Sequence, residues 1–533
     1  MSLSPIKNAC LSIVVAMLCA SAFTAAPRLA GAQQVQCSAQ ISAPETWLDP
    51  AHRLALLNLQ ANGAQDLIRD GADCRQTAGN HIQRFLKIRP YSLGLRVVYN
   101  SRIPDPRGDG ALWAGRGASA LIRAGFLFDY GIFHATVAPE LMYEQNRPTD
   151  ILAPRNAARS SFAAPFYSSG ISIDMPTRMG ADAITQIAPG QTALWADYHG
   201  VSIGWSASNS SWGPGLDGLM LGNSSAGVPR AFIRTSRPVA TPIGKWSASY
   251  FLGRVTESRF FDFDSLNNSR TLSAVAIGWT PASTNALALG LSRAVMRVIP
   301  RGTIGTRNLG SAFAPLNPAD GDELVAFSAR LHLPAARTRA WIELGHQGPL
   351  RLRDILTSPG AGTAYRVGLE RGIEYTGGAW VFLFEAANLE MPQDFTDRQS
   401  HDFYSGWGTS QGWTQRGQLL GSGTGPGSQS QYLSADWVAA DWSAGGFLER
   451  VRWNEDAMFR EYLPYPNRHD VSMRVGARGS VTRGGFRTQA DLSVGTRLDY
   501  LFQNADYIPD YRTVDVPLLQ LKFTVTPGMR TTP

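Results

Sequence analysis

The sequence predicts an all-β fold, a large antiparallel barrel that crosses a membrane, and three observations lead there. From Tyr91 to Val525 apolar and polar residues alternate in stretches with a period of two. The 533 residues include 53 Gly, 14 Trp, 16 Tyr and 23 Phe, yet only 17% are charged, against about 25% in a soluble domain. Beyond the first 32 residues no uncharged apolar run reaches the ~18 residues of a helical span. Low charge with many aromatics suits a lipid-facing band and the girdles at its edges.

The alternation is clearest from Phe486 to Leu498. Phe486, Thr488, Ala490, Leu492, Val494, Thr496 and Leu498 form one face, and Arg487, Gln489, Asp491, Ser493, Gly495, Arg497 and Asp499 form the other. Val471, Met473, Val475 and Ala477 against Ser472, Arg474, Gly476 and Arg478 repeat it, with a glycine turn at Arg483-Gly484-Gly485 between the two strands. Trp246, Ala248, Tyr250 and Leu252 against Ser247, Ser249, Phe251 and Gly253 repeat it upstream, and Leu519, Leu521, Phe523 and Val525 against Gln520, Lys522 and Thr524 end the series. Strands of ~10 residues with turns and loops take roughly 24 residues each, so the barrel region 90–533 predicts about 18 strands. Phe523 is followed by Thr524 to Pro533, a tail in place of a terminal aromatic.

The first residues read as an export signal. Lys7 precedes the short apolar run Ala9 to Phe23, and Ala30-Gly31-Ala32 offers a small-x-small cleavage site, so 1–32 is a signal peptide. The run is too short for an anchor, and Cys19 after Ala16-Met17-Leu18 is a poor lipid-attachment site. The formal charge of +7 falls by two with Lys7 and Arg28, an excess too small over this length to indicate nucleic acid. Cys10 and Cys19 leave with the signal; Cys37 and Cys74 remain, either paired in an oxidising periplasm or as two free thiols.

Residues 33–89 form a separate segment that reads as helical. Asp49-Pro50 has the form of an N-cap followed by proline at the first helical position, with Leu54 and Leu57 on one face and Gly63 to end the helix. A second helix is expected from Ala64 to Leu86. So short a piece holds little core of its own, which makes it a plug or periplasmic collar for the barrel.

Three motifs exceed generic barrel sequence. Gly108-Asp109-Gly110 precedes Leu112-Trp113-Ala114-Gly115-Arg116-Gly117. Met175-Pro176-Thr177-Arg178-Met179-Gly180 leads through Gly190-Gln191 to Ser211-Trp212-Gly213-Pro214-Gly215. Gly412-Trp413-Thr414-Gln415-Arg416-Gly417 leads to Leu420-Gly421 and Gly425-Pro426-Gly427-Ser428-Gln429. In this order, with Trp341-Ile342-Glu343-Leu344-Gly345 and the helical start near Trp47, they resemble the capsule assembly Wzi family of outer-membrane proteins. The resemblance implies a large outer-membrane barrel with an N-terminal helical bundle at its periplasmic end and loops folded over its mouth. It also implies lectin-like retention of capsular or extracellular polysaccharide, with outer-membrane lipid and the capsule export machinery as partners.

Sugars stack their CH faces on aromatic rings and bond their hydroxyls or carboxylates to Arg, Asp and Asn. Loop-like stretches rich in both types are 100–116, 401–416 and 454–468, which makes Trp113, Arg116, Tyr404, Trp407, Trp413, Arg416, Tyr462, Tyr465 and Arg468 the candidate contacts. Girdle anchoring and loop packing compete for each of these aromatics. Trp212-Gly213-Pro214-Gly215 reads as a fixed turn with Trp212 packed beneath it, and Gly425-Pro426-Gly427 carries backbone restriction rather than chemistry.

Enzyme signals fail. Gly408-Thr409-Ser410-Gln411-Gly412 matches a nucleophile elbow but lies in a glycine-rich barrel loop, and that pattern has meaning only at a strand-to-helix turn. Gly421-Ser422-Gly423-Thr424-Gly425 lacks the lysine of a phosphate loop, and the eight histidines have no metal-ligand spacing. The expectation is therefore a non-enzyme without cofactor or metal. The alternative to polysaccharide anchoring is a porin for oligosaccharides or other small solutes, and closure of the lumen by loops is what separates the two.

Overall fold

The computed structural model describes residues 49–58, 67–70 and 86–527, apart from 153, 155–157, 167–171, 300–303, 350–356, 358–359, 361, 393–401, 407, 463–468 and 505–512. The signal segment 1–32, Cys37 and Cys74 lie outside the described residues. Eighteen antiparallel strands close into one barrel, sealed where the first strand, Lys87–Asn100, pairs with the last, Val516–Pro527. The barrel thus begins at Lys87, three residues before the boundary the sequence suggested.

Tight turns join strands at one end. Between Val471–Arg483 and Phe486–Leu498 the whole connection is Gly484 and Gly485, at φ 62° and 82°, the doubly left-handed turn that matches the twist of paired strands. Connections at the other end are long, notably 101–116, 207–229 and 389–428. By the usual asymmetry of such barrels the tight-turn end is periplasmic and the long loops are extracellular.

Register explains the two faces. Leu433, Leu448, Val475, Val494 and Leu519 are successive cross-strand partners and all point outward. One residue along, Ser434, Phe447, Gly476, Ser493 and Gln520 form the matching inward row. Leu492 is accordingly 45% exposed and Ser493 5%. Because a strand's side-chain period is two, one slip in register would turn every apolar residue into the lumen. Near the tight turns the outward face carries an aromatic girdle: Trp246 pairs with Trp279 and Trp380 with Trp437, ring centroids 5.7 Å apart in both pairs.

At the same end the helix Pro50–Asn58 enters the lumen. Asp49 caps it, its Oδ1 accepting from Ala51 N at 2.9 Å. Ala51, Leu54 and Leu57 pack on Ala379, Val381 and Val438, and Arg53 Nε reaches Glu370 Oε1 at 2.6 Å. The expected second helix fails in its described part, because Ile68–Asp70 is a strand paired with Ser210–Trp212. Extended backbone there takes hydrogen bonds from a loop that would otherwise leave them unmade, and it lets Leu67 bury against Ala288. The stretch 454–468 is likewise no simple loop: Glu455–Tyr462 is a helix, with Glu455 and Asp456 in its first turn, where the helix dipole favours acids.

Candidate functional site

Long loops from the extracellular end converge inside the barrel. Gly110 N donates to Asn223 O at 2.9 Å, Gly222 N to Leu420 O at 2.7 Å, and Asp174 N to Gln411 O at 2.9 Å. Loops 101–116, 207–229 and 389–428 are thereby joined to one another, and the segment around Asp174 joins them. Their common core holds Trp212, Leu219, Met220, Phe403, Tyr404 and Trp413 against the inward wall residues Phe251, Leu272, Met296 and Leu324.

Charged wall residues hold this plug at mid-barrel. Arg366 Nη1 donates to Glu385 Oε1 at 3.0 Å and its Nη2 to Ser422 Oγ at 2.8 Å. Glu385 Oε2 accepts from Leu216 N at 2.9 Å and from Trp341 Nε1 at 3.2 Å, while Glu343 Oε1 accepts from Leu219 N at 3.1 Å. In the loop itself Asp217 accepts from Asn223 N and Gly423 N. Burial pushes the Asp217 carboxyl up, against the opposing pull of Arg366. Burial also pushes the Tyr404 hydroxyl far up; it donates to Leu219 O at 2.5 Å and accepts from Ser422 N at 2.8 Å.

Two further clusters latch the loops to the wall. Arg270 donates to Gly412 O at 2.7 Å and to Thr414 O at 3.0 Å. Beside it Glu257 accepts from Gln411 Nε2 at 2.6 Å, and burial, with Asp262 and Asp174 nearby, pushes its carboxyl up to about 7. Across the lumen Asp105 accepts from Arg107 Nε at 2.7 Å and from Arg474 Nη1 at 2.5 Å. Burial alone would raise Asp105, but those two cations hold it well below the usual carboxylate range. Arg107 also reaches Glu449 Oε1 at 2.7 Å.

The candidate contacts divide on this framework. Trp413 is buried and its Nε1 donates to Met220 O at 2.8 Å; with Tyr404 it is part of the plug's interior, not a free stacking face. Trp113 is buried, its backbone N bonded to Glu144 Oε1 at 3.0 Å and its indole N–H without a partner. Arg116 is half-buried, with Nη1 on Pro148 O at 2.6 Å. Arg416 is exposed, in the left-handed region at φ 50°, its N bonded to Thr256 O at 2.8 Å. Tyr462 ends its helix, and Trp407, Tyr465 and Arg468 lie outside the described residues.

Trp212 stacks edge-on against Phe251 at 5.3 Å. Gly213 has φ 132°, and a Cβ there would come within 2.7 Å of Glu343 Oε1; one at Gly215 would meet Glu385 Oε2 at 2.6 Å. The glycines of this turn therefore admit the carboxylates that hold it, with Pro214 between them restricting φ. Gly427, at φ 55°, lies equally close to Asp456; Gly425, at φ 89°, donates to Ser422 O at 3.2 Å, and Pro426 joins the two. Missed in the sequence was the anchoring set Glu343, Arg366 and Glu385, whose signal was charge at inward strand positions.

An apolar exterior, an aromatic girdle and a polar, loop-filled interior define the chain as a barrel of the outer-membrane class. No protein-family profile matches it and no curated protein sequence does. Its fold is similar to that of Wzi, an outer membrane protein involved in group 1 capsule assembly in Escherichia coli and a carbohydrate-binding β-barrel: TM-score 0.54, 11% identity, covering 82% of this chain and 84% of that one. A BenF-like porin from Pseudomonas fluorescens Pf-5 matches at TM-score 0.41 and 9% identity over 85% and 100% of the two chains. Pseudomonas aeruginosa OccK2 in complex with glucuronate matches at 0.40 and 9% over 84% and 98%. At such identities the likeness is one of fold.

Proposed function

We propose that this barrel holds capsular or extracellular polysaccharide at the cell surface, as a lectin-like anchor of the Wzi type rather than a channel or an enzyme. The observation that carries the reading is the plug: three loops bonded to one another and latched to the wall by Arg366, Glu385, Glu343 and Arg270 stand where a solute path would run. A permanently latched plug costs a porin its conductance, whereas it gives a binding protein a rigid floor for its outer loops. In this reading Arg116 and Arg416 are described cations placed to meet hydroxyls or uronic carboxylates. Trp407, Tyr462, Tyr465 and Arg468 supply stacking faces and charge in this reading, and the capsule export machinery is the partner that delivers the polymer.

The test pairs two measurements on the refolded full-length chain. Binding to an array of capsular and extracellular polysaccharides is expected, together with negligible conductance in a planar bilayer. Steady open conductance with no glycan bound would replace this reading with the porin for oligosaccharides or other small solutes.

A further inference from the structure

Part of the connection between Leu287–Val298 and Asp322–Leu333 folds over the outer wall of the barrel. Residues 308–314 lie on the outside of the barrel, while Pro318 and Gly321 approach Gly408 of the plug at the rim. Asn308 Nδ2 donates to Thr271 Oγ1 at 2.9 Å, and Ala312 N to Ser273 Oγ at 3.3 Å. Arg293 donates from Nη1 to Ala312 O and from Nη2 to Ala314 O, both at 2.8 Å. Phe313 packs on the Tyr250 ring at 5.3 Å, and the Tyr250 hydroxyl donates to Leu309 O. Thr271, Ser273, Arg293 and Tyr250 alternate with Leu272, Ala274, Met296 and Phe251, which belong to the lumenal core, so they face outward. Thr271 and Ser273 are nonetheless fully buried, because this flap covers them.

Polar groups on a barrel's outer wall are costly in hydrocarbon unless bonded. Here Arg293 also pairs with Glu323 at 2.7 Å, and the flap's carbonyls take its remaining donors. The flap then turns new groups outward: Ile304, Leu309 and Phe313, the last 65% exposed, beside the exposed Arg307. Arg254, Thr271 and Arg297 are cross-strand partners in one outward row, which sets the two arginines about 10 Å apart across three strands. Asn308 bonds to Thr271 between them, which places its neighbour Arg307 over the same row. Arg254 donates to Ser269 Oγ at 2.7 Å, and Arg297 faces the exposed Asp320 at 3.6 Å, leaving a net positive rim. Tyr250, under Leu309 and Phe313, lies four residues nearer the tight-turn end than Arg254, so the apolar groups lie on the bilayer side of the cations.

We propose that this outer-wall flap is a binding site for a phosphorylated, acylated lipid of the outer leaflet. Arg254, Arg297 and Arg307 take its phosphate, and Leu309 and Phe313 lie along its acyl chains. Cations above an apolar shelf are what such a lipid presents in reverse, and a soluble phosphate would have no use for the shelf. The site needs only that the barrel sits in the membrane and is independent of what the loops bind.

The test uses the full-length chain folded in detergent micelles, with a bis-phosphorylated, multiply acylated lipid A preparation as probe and native mass spectrometry or fluorescent-lipid displacement as readout. Saturable binding is expected, weakened about tenfold or more by combined Arg254→Gln, Arg297→Gln and Arg307→Gln, and left unchanged by Lys245→Gln at the opposite rim. Dephosphorylated lipid A and the acyl-free phosphorylated disaccharide are both expected to compete poorly. Heat-modifiable migration checks folding, and if the triple variant fails to fold, Arg307→Glu at its exposed position decides with a clear loss of affinity. Wild-type affinity in a folded variant, or equal competition by the acyl-free disaccharide, would overturn the proposal.

Discussion

Removing the Arg366 guanidinium tests whether the plug is latched by charge. In Arg366→Met the buried Glu385 loses its counter-ion at 3.0 Å and Ser422 loses its donor at 2.8 Å, while Glu343 remains close by. Stranding a buried charge costs about 3–5 kcal/mol. At about 1.4 kcal/mol per decade, the open population of the plug rises roughly 100- to 4,000-fold. Chymotrypsin reads that population directly when opening and reclosing are fast relative to cleavage, because Tyr404 and Trp413 are buried cleavage sites. Cleavage there is expected to rise about 100-fold or more while heat-modifiability shows the barrel intact. Arg366→Met with Glu385→Met, which removes both charges, recovers most of the protection. Unchanged cleavage in the single variant refutes the latch.

Three other outcomes follow from the geometry. Leu492→Arg, on the lipid face, is expected to lower folding stability by about 2–4 kcal/mol in urea-driven unfolding, and Gln489→Arg, on the lumen face beside Asp491, by far less; equal losses would mean the faces are misassigned. Gly213→Ala places a Cβ against Glu343 at a left-handed φ of 132°, a strain of about 1–3 kcal/mol that should raise chymotrypsin cleavage of the 207–229 loop; unaltered cleavage removes the claim that this glycine is required. Glu257, pushed up to about 7 by burial from an ordinary 4.5, keeps in the closed plug a proton that the opened loop releases. Its contribution is therefore full below about pH 4.5 and is lost as pH rises through 7, so cleavage at Trp413 should grow between pH 5 and 8 in the wild type and stay flatter in Glu257→Gln.

The barrel was legible because a strand's period reports which wall it faces. Met473 and Val475 against Arg474 and Arg478 needed no tertiary information, and the structure puts the first pair in lipid and the second in the lumen. Composition and strand spacing gave about 18 strands for the same reason. The N-terminal helix was legible from its cap, since Asp49 bonds Ala51 N as that pattern requires. Ile68–Asp70 was not, because its three residues become a strand only when Ser210–Trp212 arrives beside them from a distant loop.

The site was less legible, and the reason lies in what a plug is. Aromatic residues in a loop with no period give no sign of which way they face: Trp413 reads as a sugar platform until its indole is found on Met220 O, 193 positions away in the chain. Inward charge was the better signal. Glu343 and Arg366 are direct cross-strand partners, and Glu385 lies opposite Gly368, two residues on from Arg366. Opposite charges set at mid-depth on adjacent inward faces, well away from either aromatic edge, have no water column to themselves in a filled lumen, so something polar must be brought to them. Trp212-Gly213-Pro214-Gly215 is the complement in sequence: two glycines with no side chain to obstruct a carboxylate, and a proline that keeps the turn in place. Matching an inward Glu, Arg and Glu with a Gly-Pro-Gly turn identifies the latch without any reference to the aromatics, because the turn leaves room for the carboxylates and the carboxylates supply the acceptors that the turn's backbone needs.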